Sequence, residues 1–414
     1  MGWNSWDCYG AAVDEATVRQ NAEFMAKNLK QYGWEYVVVD IQWSEPTAES
    51  HEYHPFAELC MDGYSRLIPA ENRFPSAAGG RGFAPLAEYV HSLGLKFGIH
   101  IMRGIPRIAV DAKMPVRGTD GITADMIYNE EHLCAWLHDN YTVDATKPGA
   151  QEYYNSIFDM YADWGVDFIK IDDLSAPYYH EDEIDMIRKA IDQTGRPIVL
   201  STSPGATPLT AAEHVSTHAN MWRMVNDVWD IWRDVSHLMN VAKGWYPYIG
   251  GGTWPDCDMI PLGRISIRGE RGAERNTRLT EDEQYSLMTL FTILRSPLMF
   301  GGDLPSNDEF TTSLLTNEEV LRMHREGSQV RELKDFGGIL SITSVNGVSG
   351  DVYLAVFNRN NDEAAFSVSM EELGLGGRAH KAVSLWDGQK TGRVKELAGT
   401  LRAHACVLYK IDRN

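Results

Sequence analysis

One unit recurs along this chain and limits what it can fold into: an amphipathic helix, a glycine, then a short apolar strand ending on polar residues. Its cleanest copy lies around 164–174. Tyr154, Ile157, Phe158, Tyr161 and Trp164 fall at helical spacing, Gly165 is placed to stop the helix, and 166–171 is short and largely apolar. Lys170, Asp172 and Asp173 stand at the carboxyl end of that strand. This is the grammar of a βα barrel or a doubly wound sheet, in which such residues face the active site.

The same beat runs through the first three quarters of the chain. A helix over 13–32 feeds Tyr36-Val37-Val38-Val39-Asp40, and a long polar excursion follows. A helix near 84–93 feeds a strand at 95–101 that carries His100. Beyond the copy at 164–174, a helix over 181–193 leads to 198–200 and Ser201-Thr202-Ser203, and a helix over 209–217 leads to Asn220-Met221-Trp222-Arg223. Helices over 231–241 and 282–294 precede 250–259 and 297–303. With a first strand at 2–6 this makes about eight units, the number that a (β/α)8 TIM barrel needs. The expected barrel is 1–327. Past it, short alternating runs at 338–343, 352–358, 365–368, 382–386 and 406–411 are separated by turns without helices, which predicts a C-terminal antiparallel β-sandwich domain over 328–414.

Function classes are narrowed by charge. At a formal net charge of −20, neither a nucleic-acid backbone nor an anionic membrane is an expected partner, since both call for basic patches. A neutral ligand fits better, and self-association is left open. Five cysteines, Cys8, Cys60, Cys134, Cys257 and Cys406, are scattered and form no CxxC pair, so neither a disulfide framework nor a structural zinc site is indicated. A reducing cytoplasm is the expected compartment. No export signal is visible, although Met1 lies directly against the first strand, which leaves a preceding segment open.

Carboxylates mark the predicted strand ends: Asp40, Asp172, Asp173, Asp227, Asp256 and Asp258. A pair of them flanking a bond is what glycoside hydrolysis requires, and Trp3, Trp6, Trp43, Trp222 and Trp254 offer flat faces for a sugar ring. Other readings exist. Lys170 could form a Schiff base, but two neighbouring carboxylates would hold its amine charged. His100 with Asp40 and Asp256 could ligate a metal, yet no HxH, HxxxH or HExxH spacing supports them. A barrel that binds sugar without turnover is a third alternative.

Met1-Gly2-Trp3-Asn4-Ser5-Trp6, Lys170-Ile171-Asp172, Trp222-Arg223 with Asp227 four residues on, Trp254-Pro255-Asp256-Cys257-Asp258-Met259 and Arg295-Ser296-Pro297-Leu298 together resemble glycoside hydrolase family 27 in order and spacing. That family holds α-galactosidases, α-N-acetylgalactosaminidases and β-L-arabinopyranosidases. The resemblance implies retaining double displacement without cofactor or metal. It makes Asp172 the nucleophile and Asp227 the general acid/base, with Arg223, Lys170 and Asp256 or Asp258 as ligands of the ring hydroxyls and Trp6 stacking on the sugar. Lys170 would keep Asp172 ionised, whereas Asp227 would need a raised pKa, for which Trp222 and Trp229 could supply desolvation.

Two departures bear on the substrate. Most family α-galactosidases have consecutive aspartates where this chain has Asp40-Ile41-Gln42-Trp43. Ile41 replaces an acceptor where the C6 hydroxymethyl of galactose should sit, so the expected substrate is a terminal β-L-arabinopyranoside, which has galactose-like stereochemistry without that group; α-D-galactoside is the alternative. Small residues from Ser201 to Ala206, where α-galactosidases often carry Cys-Glu-Trp-Pro, leave room at C2 for an N-acetylgalactosaminide. Asp173 and Leu174 stand where eukaryotic members have glycine and a disulfide cysteine, and Asp173 has no role that the sequence assigns. The expected substrate-binding set is Trp6, Asp40, Ile41, His100, Lys170, Ser201, Arg223, Asp256 and Asp258.

Overall fold

The computed structural model describes residues 1–49, 53, 54, 56–269 and 271–413. Asn414, the end of the expected second domain, lies outside them. The chain divides into two compact units, Met1–Asp227 with Asp258–Asn276 and Met299–Asn307, and Val228–Cys257 with Thr277–Leu298 and Asp308–Asn414.

The first unit is a TIM-like barrel sheet. Its eight parallel strands are β1 (Gly2–Asn4), β2 (Tyr36–Val39), β3 (Lys96–Met102), β4 (Phe168–Asp172), β5 (Val199–Thr202), β6 (Met221–Arg223), β7 (Met259–Ile260) and β8 (Met299–Phe300). They pair in the order β6-β5-β4-β3-β2-β1-β8-β7. Val37, Val38, Val39, Phe97, Ile99, Ile169, Ile171 and Leu200 have no exposed surface, as expected of a parallel sheet covered on both faces. Register sets His100 beside Lys170 and Lys170 beside Ser201, with Met102 beside Asp172 one pleat further on. Polar residues from distant parts of the sequence thereby share one end of the sheet.

Helices α1 (Glu15–Asn28), α2 (Ala84–Ser92), α3 (Ala150–Asp163), α4 (Glu181–Gln193) and α5 (Ala212–His218) connect these strands. The stop after α3 is built as the sequence suggests. Gly165 takes φ +82°, its N–H donates to Ala162 and the N–H of Val166 donates to Tyr161; these are the two hydrogen bonds of a Schellman cap, whose left-handed residue favours glycine.

The second unit holds α6 (Trp232–Val241), a short strand Trp254–Asp256, α7 (Glu281–Ile293), α8 (Glu309–Thr316), α9 (Glu318–Glu326) and the C-terminal strands. Gly327–Phe336, Ile339–Asn346, Val352–Asn358, Cys406–Ile411 and Ala382–Ser384 form one antiparallel sheet, and Ala364–Ser369 pairs with Glu396–Leu401. Leu354, Val356, Phe366, Val368, Met370, Leu397 and Leu401 share one buried cluster, which makes the sandwich core. Two of these strands, 327–336 and 396–401, escaped the sequence reading because their many charged and small residues mask the alternation. No helix among the described residues is long and apolar enough to cross a membrane.

Candidate active site

A cavity of about 530 Å³ opens in the first unit, within the usual range for a small-molecule site. Trp6, Asp40, Lys170, Asp172, Arg223 and Asp227 line it, so residues at or near strand ends from four parts of the chain converge there.

The N-terminal motif assembles its floor. Asn4, ending β1, donates from Nδ2 to Oδ2 of Asp40 at 2.7 Å, the backbone N–H of Asp40 donates to the Ser5 hydroxyl at 2.9 Å, and the N–H of Trp6 donates to Oδ1 of Asn4 at 2.9 Å. The Lys170 ammonium lies 3.0 Å from the same Asp40 oxygen. His100 Nε2 lies 3.1 Å from Oδ2 of Asp172, while Oδ1 of Asp172 is buried without a hydrogen-bond partner among the described residues.

These charges settle one another's protonation. Burial favours neutral Asp172, but Lys170 and His100 outweigh it and hold the carboxyl well below the usual carboxylate range. Asp40 is lowered by the same balance of burial against Lys170 and His100. Burial disfavours the Lys170 ammonium, yet Asp40 and Asp172 lift its pKa above the ordinary value, which works against the neutral amine that a Schiff base needs. Among the described residues, His100 and Asp40 do not belong to a group of three His, Cys, Asp or Glu whose ligand atoms lie close enough together to hold one ion. Asp7 is buried near Asp258, and burial followed by that neighbour pushes its pKa well above the ordinary value.

Arg223 bridges two carboxylates, with Nη1 2.7 Å from Asp258 and Nη2 3.0 Å from Asp227. Asp258, at φ +93°, does not line the cavity, and its contact is with the guanidinium that does. The desolvation expected around Asp227 is not met, because its side chain is 43% exposed. Ser201 is also displaced from its expected place: it is 3% exposed within β5 and does not line the cavity, whereas Ser203, two residues further towards the mouth, does. Asp256 lies buried on the strand Trp254–Asp256 of the second unit. Ile41 does not reach the large cavity; it is buried in one apolar cluster with Trp6, Cys134 and Leu137.

Sequence reasoning missed Tyr53, Trp136, Asn226 and Arg271, which line the cavity. Tyr53 stacks on Trp6 with ring centroids 5.9 Å apart and 10° between planes. All four belong to loops rather than periodic segments, and the long excursions after strand ends were the available signal. Asp173 also acquires a place. At φ +67° it turns from the cavity, and its Oδ2 meets Arg103 Nη2 at 2.8 Å while Arg103 Nη1 meets Glu183 at 2.7 Å. The five cysteines are free.

Such a cavity on a barrel, with ionised carboxylates beside an indole face, is that of a glycoside hydrolase. Residues 132–326 match the family model for alpha galactosidase A, and 338–411 match that for the alpha galactosidase C-terminal beta sandwich domain. The crystal structure of a family 27 β-L-arabinopyranosidase from Geobacillus stearothermophilus superposes with a TM-score of 0.98 at 52% identity, over 100% of this chain and 95% of that one. An α-galactosidase from Cyamopsis tetragonoloba is 26% identical over 99% of this chain and 85% of its own length. An α-N-acetylgalactosaminidase from Mus musculus is 27% identical over 79% and 68%. The chain belongs to glycoside hydrolase family 27.

Proposed function

We propose that this enzyme releases terminal β-L-arabinopyranosyl units with retention of configuration. The carboxylate of Asp172 forms a bond to the anomeric carbon as the glycosidic bond breaks, and Asp227 gives its proton to the departing oxygen. Water then attacks the same carbon, Asp227 takes its proton, and Asp172 leaves. The observation that carries this reading is the charge balance at the cavity floor, where Lys170 and His100 keep Asp172 ionised as a nucleophile must be. Asp227 shares the cavity on the arm of Arg223 and is open to solvent until a sugar covers it. Lys170, Asp40 and Arg223 supply hydroxyl ligands, and Trp6 supplies an apolar face.

Proton NMR of the first sugar released should show the anomeric configuration of the substrate; the inverted anomer would overturn the double displacement. Asp172→Asn should lower turnover by roughly 10⁴-fold or more.

Pentose selection rests on Ile41. Ile41 packs behind the cavity wall with Trp6 and Leu137 rather than on its surface, so the acceptor that an aspartate would carry towards a hydroxymethyl at C6 is absent, and the similar Geobacillus enzyme is described as a β-L-arabinopyranosidase. An apolar wall rejects an added hydroxyl by only about 10²-fold, so weaker α-galactosidase activity should persist, in keeping with the curated relatives. With p-nitrophenyl β-L-arabinopyranoside and α-D-galactopyranoside, the arabinoside should have the higher kcat/KM. Ile41→Asp should move the ratio towards galactose, and an unchanged ratio would sink the assignment.

A further inference from the structure

Outside the sugar cavity, α4 and α5 bring together a second set of chemically capable side chains. Asp185 on α4 faces His214 and His218, which stand four residues apart on one side of α5. The Nε2 atoms of His214 and His218 lie 2.9 Å and 3.3 Å from the same oxygen, Oδ1 of Asp185, and the two rings stack with centroids 4.1 Å apart. One ligand atom from each residue lies within 4.8 Å of the others.

The hydrogen bond on the far side of the His218 ring fixes what its other nitrogen presents. His218 Nδ1 lies 2.8 Å from the carbonyl oxygen of His214. A carbonyl only accepts, so this nitrogen carries the hydrogen, and in the neutral ring Nε2 holds a lone pair. That lone pair points at a carboxylate oxygen, an arrangement that needs a cation between them, either a proton or a metal ion. His214 Nδ1 lies 2.6 Å from the Tyr179 hydroxyl, which can donate or accept, so this ring can present either a lone pair or an N–H at Nε2. Ring nitrogens anchored from behind by a carbonyl and a hydroxyl are the usual outer support of imidazole ligands. In tetrahedral zinc, bonds of about 2.0 to 2.1 Å place donors about 3.3 Å apart, close to the two nitrogen–oxygen spacings found here.

We propose that Asp185, His214 and His218 bind one divalent transition-metal ion of the zinc or copper type, with water or the nearby Glu181 completing the shell. Two imidazoles and one carboxylate are borderline ligands that favour these ions over magnesium or calcium. Glu181 Oε1 lies 4.0 Å from His214 Nε2, within reach by a side-chain rotation. None of the three ligands lines the sugar cavity, so the ion serves as a clamp between α4 and α5. Through Tyr179 it also fastens the segment that carries Ala176 and Pro177 to the cavity wall.

The test is titration of the chelator-treated, full-length enzyme with Cu²⁺ alone, read by electron paramagnetic resonance. Wild type should take up a saturable equivalent whose hyperfine pattern reports two nitrogens; His218→Gln should report one, and the His214→Gln/His218→Gln double variant should lose that equivalent. Tyr179→Phe should keep the stoichiometry and weaken binding by roughly tenfold or more. Zn²⁺ should raise the Tm of wild type and leave that of the double variant unmoved. If the double variant fails to fold, Asp185→Asn serves in its place, with binding weakened and both nitrogens retained. An unchanged equivalent in the double variant, an unchanged affinity in Asp185→Asn, or no saturable binding by wild type would each overturn the site and leave a hydrogen-bonded cluster on Asp185.

Discussion

Lys170 does two things that a single substitution can separate. Its ammonium holds Asp40 and lowers the pKa of Asp172, so Lys170→Met should lose both a sugar contact and the field that keeps Asp172 charged. Loss of the contact raises KM. Loss of the field raises the pKa of Asp172, so the acid limb of kcat/KM against pH should move to higher pH, towards the ordinary carboxylate value near 4 or above it. A fall in activity with an unmoved acid limb would assign Lys170 to binding alone. The role was legible in the sequence because Lys170 and Asp172 share one strand face at a spacing of two. The partnership of His100 with Asp172 was not, since it depends on β3 pairing with β4 across a long insertion. Periodicity found His100 on a strand but could not say which strand lay beside it. His214 and His218 were passed over for a different reason: their HxxxH spacing was present in the sequence, but they lay outside the set built around His100.

At the scale of elements, the end of β4 is braced by a buried charge network. Arg103, 2% exposed at its side chain, serves Asp173 and Glu183 at once. Arg103→Met would leave two buried carboxyls without their cation and should cost about 3 to 5 kcal/mol in urea denaturation. Burial, opposed by Arg103 but reinforced by Glu183, pushes Asp173 up to about 7. A carboxyl whose folded pKa is raised contributes stability present below its unfolded pKa, near 4, and lost as pH rises through about 7. Asp173→Asn should flatten that decline, and asparagine tolerates the left-handed backbone there. Helices with strong apolar stripes and glycine stops were readable from the chain: 181–193 coincides with α4, and Gly165 caps α3. What resisted was loop content, because Tyr53 and Trp136 reach the cavity from segments without periodicity.

For the whole molecule, a net charge of −20 means that folding gathers like charge into a small volume. Raising NaCl from about 0.01 M to 0.15 M shortens the screening length from roughly 30 Å to 8 Å, so Tm should rise over that interval; a fall would show that the surface ion pairs outweigh the repulsion. Barrel class was legible because the unit of a helix followed by a short apolar strand recurs, with glycine stops at Gly33, Gly94, Gly165 and Gly195, and repeats one packing solution. The two compact units do not follow chain order, since residues 228–257 and 277–298 group with the C-terminal strands although they lie among barrel elements in sequence. The pairing of β1 carries a consequence for how the chain is made. Gly2–Asn4 sits between Tyr36–Val39 and Met299–Phe300, so this strand, once synthesised, receives its second neighbour only after nearly 300 more residues. At about 5 to 20 residues per second, its open edge waits roughly 15 to 60 seconds, an interval in which a chaperone could shield it.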